Sequence, residues 1–177
     1  MLDRQRFATL LLHAGLVVVT VTPVFAQAGF SRRKLEELDA LPSGLTIQHM
    51  PNPVAAGLGG RSGRRYTWLY RTTVSATADT ITVTEFGAFF WKDGHWQFST
   101  FTGKPFSARD FAEWYGCPGA RVVPGVVCAD SLNWSGSDSL MADRVRWYYI
   151  GVTARGQRVK GEAVVEHLAA VDTTKAR

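Results

Sequence analysis

The stretch from Thr80 to Phe101 constrains the fold more than any other part of the chain. β-Branched and aromatic residues fill two arms, and Asp93-Gly94 between them supplies the positive φ angles that a two-residue hairpin turn needs. With that turn, Trp91 faces Trp96, and the two arms carry more apolar surface than an isolated hairpin can keep in water. The sequence therefore predicts a sheet that packs an aromatic face against another layer.

Period-two alternation of the side chains predicts further strands over residues 66–76, 145–152 and 159–166. We expect the first of these strands to form a meander with strands 80–91 and 95–101. The last two form a second hairpin, closed by Ala154-Arg155-Gly156. Together these patterns predict an all-β fold, a two-sheet antiparallel β-sandwich of immunoglobulin-like type, with a small β-barrel as the alternative.

One short helix is predicted within the long crossover through residues 102–143. Ser107 has the character of an N-cap, Asp110 completes a capping box at the third helical position, and Gly116 ends the helix. Pro124-Gly125 is typical of a tight turn. Residues 129–143 are rich in Asp, Ser, Asn and Gly, and we expect them to form a long surface loop.

The two cysteines of the chain, Cys117 and Cys128, are predicted to form a disulfide. Redox-active pairs usually follow the pattern Cys-x-x-Cys, and these two residues are too far apart for it. A structural zinc site would need further ligands, and few histidines are available to supply them. We expect no metal ion and no organic cofactor.

Residues 1–26 have the character of a secretory signal peptide. Arg4 and Arg6 precede an apolar run, and Val24-Phe25-Ala26 places small residues where a signal peptidase cleaves. Cleavage after Ala26 would make Gln27 the first residue of a secreted or periplasmic protein, with no stable membrane insertion afterwards. An uncleaved membrane anchor is the alternative.

The remaining chain is predicted to contain one folded domain with two appendages. Residues 27–63 are interpreted as a short helix from Arg32 to Leu41 followed by a linker rich in Gly and Pro, although Leu45–Gln48 could form a strand. Residues 64–170 form the β-sandwich domain, and residues 171–177 form a frayed tail. On this interpretation, residues 27–60 can be removed without unfolding the domain.

Glu85 is the one residue of the central stretch that conflicts with its surroundings. It falls on the same face as Ile81, Val83 and Phe89, where an unpaired carboxylate would cost several kcal/mol. Either a β-bulge at residues 85–87 turns it outward, or Glu85 pairs with Arg71 or another base and has a perturbed pKa. We therefore retain Glu85 as a candidate site residue.

Charge and motifs exclude several classes of function. The formal net charge is +5, and the basic residues concentrate in segments expected to be solvated rather than in a stripe on the core, so we expect no binding of nucleic acid. Nucleophile-elbow, zinc-protease and β-lactamase motifs are absent from the sequence. His95 and His167 are expected to be exposed and inert, which leaves a small secreted hydrolase with unidentified paired carboxylates as the enzymatic alternative.

The function that the sequence favours is that of an exported, non-catalytic binding or accessory module. Trp134 stands in a polar segment beside Asn133 and Asp130, where a large apolar side chain needs a structural or functional reason. It is either packed into the edge of the core or exposed as a ligand contact. A Trp beside short polar side chains suits a glycan or a peptide, and a partner protein is the third possibility.

Overall fold

The computed structural model describes residues 23–59 and 63–173. The first 22 residues of the predicted signal peptide and the last four of the predicted tail lie outside these ranges. Within these ranges, two helices, ten strands and one 3₁₀ turn follow each other. They are α1 (Pro23–Ala40), β1 (Leu45–Met50), β2 (Val54–Leu58), β3 (Tyr66–Ala76), β4 (Ile81–Lys92), β5 (His95–Phe98), β6 (Phe106–Ser107), α2 (Ala108–Tyr115), the 3₁₀ turn Pro118–Ala120, β7 (Arg121–Val122), β8 (Val127–Ser137), β9 (Asp143–Thr153) and β10 (Arg158–Val171).

The fold is all-β and sandwich-like, as the sequence predicts. Its strands, however, form one ten-stranded sheet and not two separate sheets. Strand β8 pairs with β3, which pairs with β1 and β2 on its other side. The sheet continues through β10, β9 and β4 to β5, β6 and β7. The pair β2–β10 is parallel, so the sheet is mixed rather than antiparallel throughout. The immunoglobulin-like type is not confirmed, and the described strands do not close into the alternative barrel.

The predicted meander is only half correct. Strand β4 pairs with β5 in the predicted register, with Trp91 opposite Trp96, and the turn residues Asp93 and Gly94 have φ angles of 51° and 80°. In the described part of the chain, however, β3 does not pair with β4, because β4 pairs with β9 instead. Alternation identifies the faces of a strand but carries no information about its partner, so adjacency along the chain was misleading here.

The second hairpin and the short helix agree with the sequence. Strands β9 and β10 pair along their length, and Gly156 adopts a φ of 79° in the turn between them. Ser107 and Asp110 form a complete capping box at the start of α2, and Gly116 ends the helix in the left-handed conformation. Their signals lie within a few residues of each other, which explains why they could be predicted.

Cys117 and Cys128 form the predicted disulfide, with their Cα atoms 5.7 Å apart. The bond ties the segment that follows α2 to the first residues of β8. Between the two cysteines, a turn closed by the hydrogen bond from the Val126 amide to the Val123 carbonyl separates β7 from β8. The disulfide thereby fixes α2 against the strand at the outer edge of the sheet.

The Gly/Pro-rich linker predicted within residues 27–63 is not observed, because Leu45–Met50 and Val54–Leu58 form strands. Strand β1 pairs with β3 over six residues, and β2 lies between β3 and β10. Ile47, Val54 and Ala56 from these strands are buried in the main core. The Pro-rich segment between β1 and β2 made these two short strands resemble a linker. Because β2 lies between β3 and β10, the predicted boundary at residue 63 separates strands of one sheet.

Apolar side chains cover both faces of the sheet. On the inner face, Phe86 contacts Phe111 and Tyr115 of α2. On the outer face, α1 packs Leu38 against Phe89, Phe98, Tyr148 and Ile150. Helix α1 also replaces a strand partner at β5, since Ser31 accepts a hydrogen bond from the Phe98 amide and Gln27 donates one to the Phe98 carbonyl. No helix among the described residues combines the length and the apolar composition that crossing a membrane requires.

Candidate functional site

An open cleft of about 940 Å³ lies between β8 and the opposite part of the sheet, where β4 and α2 meet. Strand β8 forms one wall, and the segment from Ser99 to Phe106 forms part of the other. Six aromatic rings line the cleft, those of Phe90, Phe101, Phe106, Trp114, Trp134 and Trp147. Its volume lies within the range typical of ligand sites, which often have aromatic walls around a few polar groups.

Phe101 is the centre of the aromatic cluster at the mouth of this cleft. Its ring centroid lies 5.1 Å from that of Phe106 and 6.0 Å from that of Trp114. The ring of Trp134 is nearly parallel to it, at 14° and 6.2 Å. Phe101 nevertheless remains 69% exposed, which is an unusual position for a phenylalanine whose only role is packing.

The sequence predicts a surface loop around Trp134, but residues 127–137 form strand β8 and Trp134 lies within it. The side chains that β8 turns inward include Asn133 and Ser135, which are polar and pair with Tyr70 and Trp68 across the ladder. The usual apolar alternation of a strand is therefore missing. The polar segment whose composition resembles that of a loop is an edge strand that faces the cleft.

The structure brings three of the four candidate residues together, since Asp130, Asn133 and Trp134 all line the cleft. Asn133 is only 6% exposed, donates a hydrogen bond to the Thr72 hydroxyl at 2.8 Å and accepts one from the Trp134 amide at 2.8 Å. Asp130 accepts a hydrogen bond from the Leu132 amide at 2.9 Å. These bonds hold the strand edge rigid and leave the indole ring of Trp134 half-buried at the rim.

Glu85 lies outside the cleft, on the outer face of the sheet beneath α1. The pairing of β4 with β9 shifts register between Val83 and Glu85, so a bulge is present, and Glu85 also has a basic partner. That partner is Lys34 rather than Arg71, at 2.8 Å. Burial alone would lower the pKa of Lys34, but hydrogen bonds to Glu37 and Glu85 raise it above its usual value. This ion pair connects α1 to the sheet.

Behind the aromatic lining, a chain of hydrogen bonds runs through the core to the cleft. The indole N–H of Trp147 donates to the Tyr70 hydroxyl at 2.7 Å, and that hydroxyl lies 3.2 Å from Ser135 Oγ. Burial raises the pKa of Tyr70 above its usual value, so its phenol stays protonated. The hydroxyls of Tyr115 and Tyr149 are hydrogen-bonded to each other nearby.

The expectation that His167 is exposed is wrong, whereas His95 is exposed as predicted. His167 is 4% exposed, and its ring stacks on Trp68 at 4.8 Å and 13°. Burial, together with the nearby His49, lowers the pKa of His167 to about 4. The described residues contain no cluster of three or more His, Cys, Asp or Glu side chains able to hold a metal ion.

The candidates singled out by the sequence leave out five aromatic residues that line the cleft, Phe90, Phe101, Phe106, Trp114 and Trp147. The sequence predicts a strand that extends to Phe101, but β5 ends at Phe98 and Phe101 lies in the turn that follows. The sequence does carry a signal for three of these residues. Phe101, Phe106 and Trp114 flank the Gly103-Lys104-Pro105 turn and the capped helix, and a single strand face cannot bury all three rings.

Comparison with known proteins does not identify this chain. No family model matches the sequence, and no curated protein matches it. One solved structure resembles it at a distance, a crystal structure described as the "Putative ApaA Protein from Bordetella pertussis". That protein is 15% identical, the match covers 75% of this chain and 98% of that one, and the TM-score is 0.44.

Proposed function

We propose that the protein is an exported, non-catalytic binding module that takes a glycan in the cleft between β8 and α2. The observation that carries this proposal is the aromatic cluster around Phe101, which is exposed at the mouth of the cleft. Exposed aromatic rings offer flat apolar faces, and a sugar ring presents a matching face of C–H groups with hydroxyls at its edge. The rigid hydrogen-bonded edge of β8 keeps such a surface preorganised.

Export is supported by two independent features. The leader has charged, apolar and small-residue regions in the order that a secretory signal requires. The disulfide between Cys117 and Cys128 belongs to an oxidising compartment, because thiols are kept reduced in the cytosol. The compartment, secreted or periplasmic, is part of the proposal.

The number of carboxylate side chains in the cleft favours binding over hydrolysis as its function. Among the described residues that line it, Asp130 is the sole carboxylate, and Glu85 is held by Lys34 on the outer face of the sheet. Glycosidases generally act through two carboxyl groups on either side of the scissile bond. The described part of the cleft offers no such pair, so the hydrolase alternative gains no support.

A glycan is also favoured over a peptide strand added to the edge of β8. The amides of Leu132 and Trp134 already donate hydrogen bonds to the side chains of Asp130 and Asn133. Strand addition depends on such backbone donors, so these side chains protect the edge against it. Recognition through the aromatic faces does not require them.

The test is binding by the variant Trp134→Ala. Isothermal titration with chitotriose, cellotriose and maltotriose is expected to find binding of the wild-type protein to at least one, weakened about tenfold or more in Trp134→Ala. Removal of a half-buried ring should lower the free energy of unfolding by less than about 3 kcal/mol, the low end of the range for truncating a buried Trp.

Trp96→Ala is the matched control. Trp96 is a half-buried Trp that contacts Trp91 on the β4–β5 hairpin and does not line the cleft. It should leave glycan binding unchanged. If Trp134→Ala lowered the free energy of unfolding by more than about 3 kcal/mol, the ring would be part of the packed core and not a ligand contact. Absence of binding by the wild-type protein to all three sugars would refute the glycan proposal.

A further inference from the structure

A second, smaller compartment of about 380 Å³ adjoins the cleft. The two share Phe90, Ser99, Ser135 and Gly136 in their linings and therefore lie side by side, and we refer to them together as the groove. Trp68, Trp91 and His167 line the second compartment as well. The far end of the groove thus combines aromatic rings and an imidazole with Lys92, Met141 and Asp143.

His167 brings an unsatisfied polar atom to this compartment. The ring is almost completely buried, and its Nε2 atom has no hydrogen-bond partner among the described residues. A buried polar atom without a partner costs free energy, and in native proteins it commonly meets a ligand or an ordered water. The position of His167 in the lining of a cavity provides space for that partner.

Ser135 brings a hydrogen-bond donor to the same compartment. An indole N–H can only donate, so the Tyr70 oxygen accepts the bond from Trp147. The contact between the hydroxyls of Tyr70 and Ser135 allows either one to donate, and one arrangement directs the Tyr70 proton to Ser135 Oγ. The proton of the Ser135 hydroxyl is then left for an acceptor. Ser135 is 4% exposed and lines both compartments, so that acceptor would lie within the groove.

A hydroxyl group satisfies both positions, because it can accept a hydrogen bond from Ser135 and pair with either tautomer of an imidazole. We propose that this compartment is a subsite for one sugar residue, with a ring hydroxyl bound by Ser135 Oγ and His167 Nε2 and the sugar ring packed within the aromatic lining. The inference rests on the proposed glycan function and specifies where one end of the glycan binds.

The charge state of the imidazole agrees with a neutral ligand. Burial lowers the pKa of His167 to about 4, with His49 as a second cause, so His167 is uncharged at neutral pH. An uncharged imidazole can hydrogen-bond a hydroxyl and requires no carboxylate or phosphate as its partner. The volume, near 380 Å³, accommodates a single ring and not a chain of several.

The test observes His167 directly in the wild-type protein by two-bond ¹H–¹⁵N NMR of the imidazole rings. Saturation with the oligosaccharide that binds is expected to shift the His167 Nε2 resonance, while that of the exposed His95 stays unchanged. Free glucose and N-acetylglucosamine at high concentration should produce the same shift more weakly. An unchanged Nε2 resonance would mean that the compartment holds only water, and the subsite would be wrong.

Two variants extend the test. His167→Phe keeps a ring against Trp68 but removes Nε2, and Ser135→Ala removes the donor; each should weaken oligosaccharide binding about tenfold. His95→Phe is the matched control and should bind normally. Should His167→Phe fail to fold, Ser135→Ala and the wild-type resonance decide the matter.

The outcomes separate this inference from the proposed function. Binding that depends on Trp134 but shifts no His167 resonance refutes the subsite and leaves the glycan function in place. A shift produced by monosaccharides without any oligosaccharide binding supports the subsite and refutes the extended glycan ligand. No response to any of the five sugars refutes both.

Discussion

Removing residues 27–63 is expected to unfold the protein, although the composition of this segment resembles that of a linker. The deletion takes away α1, β1 and β2, and with them four fully or almost fully buried aliphatic side chains, those of Leu38, Leu45, Ile47 and Val54. Burial of one such side chain contributes about 1.5–3 kcal/mol, so the four together contribute about 6–12 kcal/mol. The free energy of unfolding of a typical domain is about 5–15 kcal/mol.

The backbone loss acts in the same direction. Strand β3 would keep only β8 as a partner, and β10 would keep only β9, which exposes ladder groups on both strands. We therefore expect a chain that starts at Arg64 to show no cooperative transition in thermal or urea unfolding followed by circular dichroism.

A graded series provides the controls. A chain that starts at Gln27 removes only the predicted leader and should unfold cooperatively. A chain that starts at Pro42 loses α1 but keeps β1 and β2, and it should unfold cooperatively at a lower midpoint, since of these four side chains it lacks only Leu38. A cooperative transition of the chain from Arg64 near the midpoint of the chain from Gln27 would refute this reasoning.

Two further predictions concern the disulfide and the buried histidines. Replacing both Cys117 and Cys128 by alanine should lower the free energy of unfolding by about 3 kcal/mol on the chain-entropy model, measured by urea denaturation, and equal midpoints would contradict it. Burial lowers the pKa of His49 and of His167 from 6.5 to about 4, so the unfolded chain binds more protons between these values. Stability should therefore fall as the pH decreases through that window. His49→Phe and His167→Phe should flatten the fall, and an unchanged pH profile in both variants would show that the histidines are not its source.

Several features of the fold could be predicted because their signals are local. The type of turn at Asp93-Gly94 fixes the register of β4 and β5, and the capping box fixes the start of α2. Each depends on backbone preferences and on contacts within a few residues. The disulfide was predictable for a different reason, since only two cysteines are present and they have one way to pair.

The candidate site was predicted in part and for an incomplete reason. Trp134, Asn133 and Asp130 do line the cleft, but on a strand edge and not on a loop. Polar inward residues of β8 are satisfied by Thr72 and Tyr70, which come from a strand about sixty residues earlier. A sequence pattern that counts apolar positions cannot detect a strand whose inner face is stabilised by hydrogen bonds.

The sequence by itself determined the all-β class, the two hairpins, the capped helix and the cysteine pair. Only the tertiary structure decided that β3 pairs with β8 and not with β4, that β1 and β2 belong to the sheet, and that His167 is buried beside a cleft. The physical reason is that local structure follows from dihedral preferences and periodicity along the chain. The choice among strand partners instead follows from burying both faces of the whole sheet at once, and the cleft lies where α1, α2 and the strands leave the edge of β8 uncovered.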